Sequence, residues 1–134
     1  MINKYKIAII GLGYVGLPLF FLFNKKYNVM GFDNNINKIA DLKNNFDSTK
    51  QFNKKILKRI NKRKFTNKIN DLKDSNCFIV AVPTPIDKNN NPNLKYLINA
   101  TKKIAKILKK DDLIIYESTV YPGLTEEECA PILE

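Results

Sequence analysis

The sequence has no histidine, and this absence narrows the chemistry open to the protein. Its 134 residues include two cysteines, five glycines and six prolines. Without histidine, a His-based catalytic triad, a His-ligated metal site and histidine acid–base chemistry are excluded. Two cysteines are too few for a disulfide scaffold, and the glycine and proline content excludes collagen-like and low-complexity sequences. We expect no metal site in this chain.

The length and the remaining composition are typical of one globular domain. A chain of 134 residues leaves room for a single hydrophobic core. Hydrophobic residues make up 44% and charged residues 27%, a balance typical of globular proteins rather than disordered ones.

Residues 7–23 form an uncharged run that resembles a signal peptide or a short transmembrane helix. Three glycines and a proline interrupt this run, and no small-residue cleavage site follows it. The run also divides into a short strand and a buried helix. We therefore predict a cytoplasmic protein with no membrane partner.

The net charge of +10 is concentrated in one stretch of the chain. Nine basic residues and no acidic ones lie between Ser48 and Asn70, and the remainder is nearly neutral. Two explanations are open for this basic segment: a compositional bias toward Lys, Asn and Ile, or a nucleic-acid surface. Only Arg59 and Arg63 are arginines, whereas nucleic-acid surfaces favour arginine with interleaved aromatics. We expect no nucleic-acid partner.

Apolar strands alternate with helical patterns along the chain. Strands are predicted at Tyr5–Ile10, Asn28–Phe32, Lys64–Thr66, Cys77–Val82 and Leu113–Tyr116. Helices are predicted at Val15–Phe23, Asn37–Lys43 and Leu94–Leu108, in the basic segment through Phe52, Ile56 and Ile60, and after a capping-box pattern of Thr125 and Glu128. Continuous apolar strands joined by helices indicate an α/β fold of the Rossmann type, a doubly wound parallel sheet covered on both faces.

The sequence Gly11-Leu-Gly-Tyr-Val-Gly16 is a G-x-G-x-x-G motif placed between the first strand and the first helix. In this position the first glycine permits a tight turn and the second lets the backbone approach a pyrophosphate. The third glycine lets the helix pack closely on the strand. The free N–H groups of the helix start would then bind the phosphates. This context predicts a dinucleotide site.

Asp33 ends the second strand, 20 residues after Gly13. A carboxylate there accepts hydrogen bonds from ribose hydroxyls and repels a 2′-phosphate, which favours NAD over NADP. Lys38 follows five residues later and is expected to reach the same region, although an ordinary surface position is an open alternative.

Four segments together resemble one enzyme family. They are Gly11–Leu19 (GLGYVGLPL), Asp33, Val82–Asp87 (VPTPID) and Tyr116–Gly123 (YESTVYPG). In this order and spacing they resemble the NAD-binding domain of the UDP-glucose/GDP-mannose dehydrogenase family. With Thr125–Glu134 included, the chain is most similar to the branch that oxidises UDP-N-acetylhexosamines to uronic acids.

The resemblance implies an enzyme that oxidises the C6 alcohol of a UDP-sugar to a carboxylate in two hydride transfers to NAD⁺. It also implies that residues 1–134 are the N-terminal, NAD-binding part of a longer, homo-oligomeric protein. The family's nucleophilic cysteine is expected beyond Glu134, so we expect the chain alone to be inactive. Cys77 and Cys129 do not match its motif; we interpret Cys77 as a core residue.

Site residues follow from the motifs and from the resemblance. The cofactor-binding set is Gly11, Gly13, Tyr14, Val15, Gly16, Asp33, Lys38, Pro83, Thr84, Ser118 and Thr119. The resemblance implies that Thr119 also helps place the catalytic water, and it makes Glu117 a marker of the branch rather than an acid–base group.

Two alternatives to an enzyme remain. A non-catalytic NAD-binding module or a truncated pseudoenzyme would keep the glycine motif and Asp33 without needing VPTPID or Thr119. A nucleic-acid-binding protein would use the basic segment instead. That segment is also open to three other roles: steering anionic ligands, pairing with another part of the protein, or a solvated surface.

Overall fold

The fold is built on a five-stranded parallel sheet, described here in a computed structural model covering residues 4–117 and 125–134. The strands are β1 Lys6–Ile10, β2 Asn28–Phe32, β3 Phe65–Thr66, β4 Cys77–Val80 and β5 Leu113–Tyr116. Their order across the sheet is β3-β2-β1-β4-β5, and every pairing is parallel. This order confirms the predicted Rossmann-type sheet.

The α-helices are α1 Gly16–Asn24, α2 Ile36–Lys43, α3 Lys54–Leu57, α4 Lys95–Ala105 and α5 Ala130–Leu133. Short 3₁₀ helices lie at Lys62–Lys64 and Ile69–Leu72, and a π-helical turn at Thr125–Cys129 precedes α5. No helix in the described ranges is long and apolar enough to cross a membrane. The uncharged run of residues 7–23 is divided between β1 and α1, as predicted.

The two faces of the sheet carry separate hydrophobic cores because successive β1 side chains point to opposite sides. Ile7 and Ile9 pack with the α1 residues Leu17 and Phe20 on one face. On the other face, Ala8 and Ile10 pack with α4 through residues such as Ile104. Both faces of the central strands are therefore buried, which explains why the strands are continuous apolar runs.

The basic segment differs most from its predicted structure. Instead of an amphipathic helix through Phe52, Ile56 and Ile60, only the four residues of α3 are α-helical. Within α3, the side chain of Leu57 is fully buried, whereas that of Ile56 is 36% exposed. After the helix, Lys62 turns back and its ammonium donates to the carbonyl oxygen of Leu57 (2.5 Å), which supplies a partner for a carbonyl at the end of α3.

Other predicted bounds were also too long. β4 ends at Val80 rather than at the predicted Val82, and α4 ends at Ala105 rather than at the predicted Leu108. Beyond the end of α4, the Lys109 ammonium donates to the carbonyl oxygens of Lys73 (2.6 Å) and Ser75 (3.2 Å). The element beginning at Thr125 opens as a π-turn rather than an α-helix.

The basic segment is attached to the outer side of α1 along its whole length. Near the start of the helix, the Gln51 side chain donates to the carbonyl oxygen of Tyr14 (3.4 Å). In the middle, Phe21 stacks on Phe52 with ring centroids 4.1 Å apart. At the end, the Lys64 ammonium donates to the Asn24 side chain (2.9 Å). The bulky phenylalanines of α1 therefore supply the surface on which this segment packs.

A buried carboxylate shapes the loop that leads into the basic segment. Asp47 is 5% exposed and accepts hydrogen bonds from the backbone N–H groups of Thr49, Gln51 and Phe52 and from the Thr49 hydroxyl, at 2.7–2.9 Å. Burial by itself raises the pKa of Asp47, but these hydrogen bonds outweigh burial, so the pKa lies below its ordinary value. The ionised form is thus the one that the fold stabilises.

We expect Asp47→Asn to lower the free energy of unfolding by about 1–3 kcal/mol, because an amide cannot accept all of these hydrogen bonds. Since the folded-state pKa is lowered, the stabilisation is complete above the ordinary Asp pKa and is lost as pH falls through the folded-state value. Urea unfolding at neutral and acidic pH would measure both effects. Asp74→Asn, at an exposed carboxylate, is the control; an equal loss in both variants would contradict this role for Asp47.

Candidate cofactor site

The turn between β1 and α1 is held tightly against β4. Gly11 has a φ of +99°, a conformation that side-chain-bearing residues rarely adopt, and its N–H donates to the carbonyl oxygen of Phe32 (2.8 Å). A Cβ at Gly11 would lie 2.9 Å from the carbonyl oxygen of Ala81. A Cβ at Gly16 would overlap the carbonyl oxygen of Gly11. Both positions therefore require glycine for structural reasons.

Gly13 differs, because a Cβ there would meet nothing within 4 Å. The protein itself therefore does not need glycine at this position, and the open space lies where the motif predicts a pyrophosphate. The structure thus separates the two structural glycines from the one that leaves room for a ligand.

The first turn of α1 presents its backbone to the same space. No side chain caps this helix, which follows Val15, and the side chains of Tyr14 and Val15 are exposed. The N–H of Leu17 already donates to the carbonyl oxygen of Gly13 (3.1 Å) and Pro18 has no N–H, so an anionic ligand would meet the N–H groups of the turn that leads into the helix.

The Asp33 carboxylate joins the end of β2 to this turn. Its Oδ2 accepts from the N–H of Leu12 (2.9 Å), and its Oδ1 accepts from the N–H of Asn35 (2.9 Å). A carboxylate oxygen accepts more than one hydrogen bond, so both oxygens keep capacity for hydroxyl donors. Asp33 is half-buried, which leaves the carboxylate accessible from the cleft.

These groups line one cleft of about 750 Å³ at the carboxyl ends of the strands. Of the predicted site residues, the cleft brings together Gly11, Gly13, Tyr14, Val15, Asp33, Lys38, Pro83 and Thr84. Gly16 lies behind the turn and does not line the cleft. Ser118 and Thr119 lie outside the described residues.

Several residues lining the cleft were not predicted from the sequence. They are Asn34, Asn35, Lys95, Tyr96, Asn99, Lys103 and Glu117. Four of them come from α4, whose inner face reaches the cleft only because β4 and β1 are neighbours in the sheet. The predicted helix pattern marked buried residues of α4 and carried no signal for these polar ones. Glu117 was predicted only as a branch marker, yet it lines the cleft.

A small buried hydroxyl cluster holds the end of β5 against α4. The Tyr116 hydroxyl lies 2.9 Å from that of Thr101, which donates to the carbonyl oxygen of Leu97 (2.8 Å). Burial raises the pKa of Tyr116 to about 12, so the phenol stays neutral at physiological pH. This cluster positions the strand end that precedes Ser118.

Neither cysteine is suited to nucleophilic chemistry. Cys77 lies in β4 and is 5% exposed, and burial raises the pKa of its thiol. Cys129 is fully buried beneath the C-terminal turn. The interpretation of Cys77 as a core residue is confirmed. Among the described residues, no cluster of three or more potential metal-ligating side chains is found.

Comparisons with known proteins identify the family. Residues 5–134 match the model of the UDP-glucose/GDP-mannose dehydrogenase family, NAD binding domain. The chain belongs to this family. The part matched is the domain that binds NAD, which confirms the predicted cofactor.

Two curated relatives show the level of similarity within the dehydrogenase family. The chain is 52% identical over 129 residues to UDP-N-acetyl-D-glucosamine 6-dehydrogenase of Pseudomonas aeruginosa, covering 96% of this chain and 31% of the relative. It is 48% identical over 132 residues to the Salmonella typhi protein of the same name, and this match covers 98% of this chain and 31% of that relative. The chain thus spans about a third of the length of these relatives.

Among solved structures of the dehydrogenase family, the UDP-D-ManNAc dehydrogenase of Pyrococcus horikoshii superimposes with a TM-score of 0.79 at 33% identity. The match covers 94% of this chain and 31% of that one. The fold and the family agree with the resemblance inferred from the motifs.

The glycines of the turn offer a paired test. We expect Gly13→Ala to fold like the wild type but to bind NAD⁺ at least about tenfold more weakly, because its methyl group occupies the ligand's space and not the protein's. Gly16→Ala should instead lower the free energy of unfolding by about 1–3 kcal/mol through overpacking against Gly11. Thermal melts and calorimetric titrations would separate these effects; a destabilised Gly13→Ala would contradict the assignment.

Proposed function

We propose that this chain forms the NAD-binding domain, residues 1–134, of an NAD-dependent UDP-sugar 6-dehydrogenase. Its substrate class would be a UDP-N-acetylhexosamine, whose C6 alcohol is oxidised to a carboxylate. The observation that carries the proposal is the cleft in which the open glycine turn, the uncapped start of α1 and Asp33 meet. The names of relatives about half identical to the chain support the substrate class.

The residues of the cleft fit the parts of NAD in order. The space at Gly13 and the N–H groups of the turn that leads into α1 suit the pyrophosphate, and the Asp33 carboxylate suits the adenosine ribose hydroxyls. Lys38 also lines the cleft and would reach the same ribose position, and Pro83 and Thr84 line the cleft beyond the end of β4. When bound, NAD⁺ supplies the hydride acceptor.

The proposed roles of Ser118 and Thr119 rest on the family resemblance. Thr119 would help position the catalytic water, for which a hydroxyl suits because it both donates and accepts. The UDP-sugar and a homo-oligomeric full-length protein are part of the same proposal.

Cofactor binding is the first test. We expect the chain to bind NAD⁺ in calorimetric titration and Asp33→Ala to bind it at least about tenfold more weakly, because two ribose hydroxyls lose a charged acceptor. Asp74→Ala, a carboxylate outside the cleft, is the control and should bind like the wild type. Failure of the folded wild-type chain to bind NAD⁺ would overturn the proposal.

Catalysis is tested with a chimera. We expect the chain alone to form no NADH from UDP-N-acetylglucosamine and NAD⁺, because both of its cysteines are buried. Joined to the remaining two thirds of the Pseudomonas aeruginosa relative, it should form NADH, and Asp33→Ala in the chimera should raise the NAD⁺ concentration needed. A folded chimera that binds NAD⁺ without forming NADH would contradict the proposed reaction, as would NADH formation by the chain alone.

A further inference from the structure

The cofactor cleft has an excess of positive charge around its acidic ribose site. Its lining includes three lysines, Lys38, Lys95 and Lys103, against two carboxylates, Asp33 and Glu117. Lys38 comes from α2 and Lys103 from α4, so they approach the Asp33 side of the cleft from two different elements. Lys103 is not among the residues that the sequence predicts to bind the cofactor.

Lys103 is fixed beside the ribose position by two contacts. Its ammonium donates to the Asn34 side-chain oxygen (2.9 Å) and lies 5.8 Å from the centre of the Phe32 ring. Phe32 and Asn34 are the two sequence neighbours of Asp33. The side chain is half-buried, so the ammonium is held in place yet open to the cleft.

Lys38, on α2, is linked to Asp33 through its backbone. Its backbone N–H donates to the Asn35 side chain (3.2 Å), and the N–H of Asn35 in turn donates to Asp33 Oδ1 (2.9 Å). The Lys38 side chain is half-buried and lines the cleft. Lys103 and Lys38 therefore both line the cleft that holds the Asp33 carboxylate, and the Lys103 ammonium is fixed beside Asn34.

We propose that Lys103 and Lys38 form a latent site for a ribose 2′-phosphate, which the Asp33 carboxylate alone keeps closed to NADP. This inference rests on the proposed function, because it places the adenosine ribose at Asp33. A 2′-phosphate beside Asp33 would face a like charge at short range, which is strongly unfavourable in a partly buried cleft. Without that charge, two ammonium groups remain to bind the phosphate, and both act as point charges that adapt to its geometry.

The test compares NAD⁺ and NADP⁺ binding by calorimetry in the wild type, Asp33→Ser, and Asp33→Ser combined with Lys103→Gln or Lys102→Gln. We expect Asp33→Ser to raise NADP⁺ affinity about tenfold and to weaken NAD⁺ binding, with the gain decreasing at high salt. Lys103→Gln should remove the gain. Lys102→Gln is the matched control: the same charge change on the adjacent residue of α4, which is exposed and does not line the cleft, should leave the gain intact.

Asp33→Ser removes acceptors from the N–H groups of Leu12 and Asn35, so circular dichroism is recorded for each variant. If Asp33→Ser is unfolded, Asp33→Asn decides, since it removes the charge, keeps an acceptor oxygen for these N–H groups and should gain NADP⁺ affinity that Lys103→Gln removes. Folded Asp33→Ser with no gain in NADP⁺ affinity, or an equal response to the two lysine variants, would overturn the inference and leave the proposed function intact. Absence of NAD⁺ binding by the wild type would overturn both.

Discussion

The hydrogen bond from the Leu12 N–H to the Asp33 carboxylate, at 2.9 Å, is the contact on which the geometry of the cleft depends. It joins the turn after β1 to the end of β2, while Gly11 packs against Ala81 at the end of β4. These contacts hold the carboxyl ends of β1, β2 and β4 together at one edge of the sheet. Because the turn cannot move away from Asp33 without losing a charged acceptor, the phosphate space at Gly13 and the ribose site keep a fixed separation. Cofactor geometry is built in before any ligand arrives.

The basic segment of residues 48–70 packs against α1 and contributes β3 and the buried Leu57 to this frame, while most of its charge faces outward. Two of its nine cations point inward: the ammonium groups of Lys62 and Lys64 donate to protein oxygens, and burial lowers the pKa of each. The other seven side chains are exposed. None of the nine lines the cofactor cleft, and Arg63 lines a separate cavity beside β3. The segment touches residues of the cleft through uncharged groups, the Gln51 side chain at Tyr14 and the Thr66 carbonyl oxygen at the Asp33 N–H (3.1 Å), so any effect of its charge on the cofactor acts at a distance.

Features of the fold that depend on neighbouring residues in the chain are predicted well from the sequence. β2 has the predicted bounds because its short, largely apolar run ends at the charged Asp33, and Gly11 has the predicted turn because few other residues adopt a φ of +99°. Leu57 was missed because its burial depends on how the basic segment packs against the core, which helical spacing does not encode. Lys103 was missed for a related reason. It lies 70 residues from Asp33, and only the strand order, which places β4 beside β1, brings α4 over that carboxylate.

Asp33 therefore serves two functions through one group, and their requirements differ. As a structural acceptor it needs oxygens that reach Leu12 and Asn35, which a neutral side chain provides in part. As a discriminator between dinucleotides it needs its full negative charge, because the nearby lysines of α2 and α4 otherwise make the site electropositive. The hydrogen bonds from Leu12 and Asn35 fix the position of the Asp33 carboxylate. Under the proposal, its negative charge then favours a ribose with free hydroxyls over a ribose 2′-phosphate. Under the proposed function, cofactor selectivity would thus depend on one carboxylate and its cationic surroundings more than on the shape of the cleft.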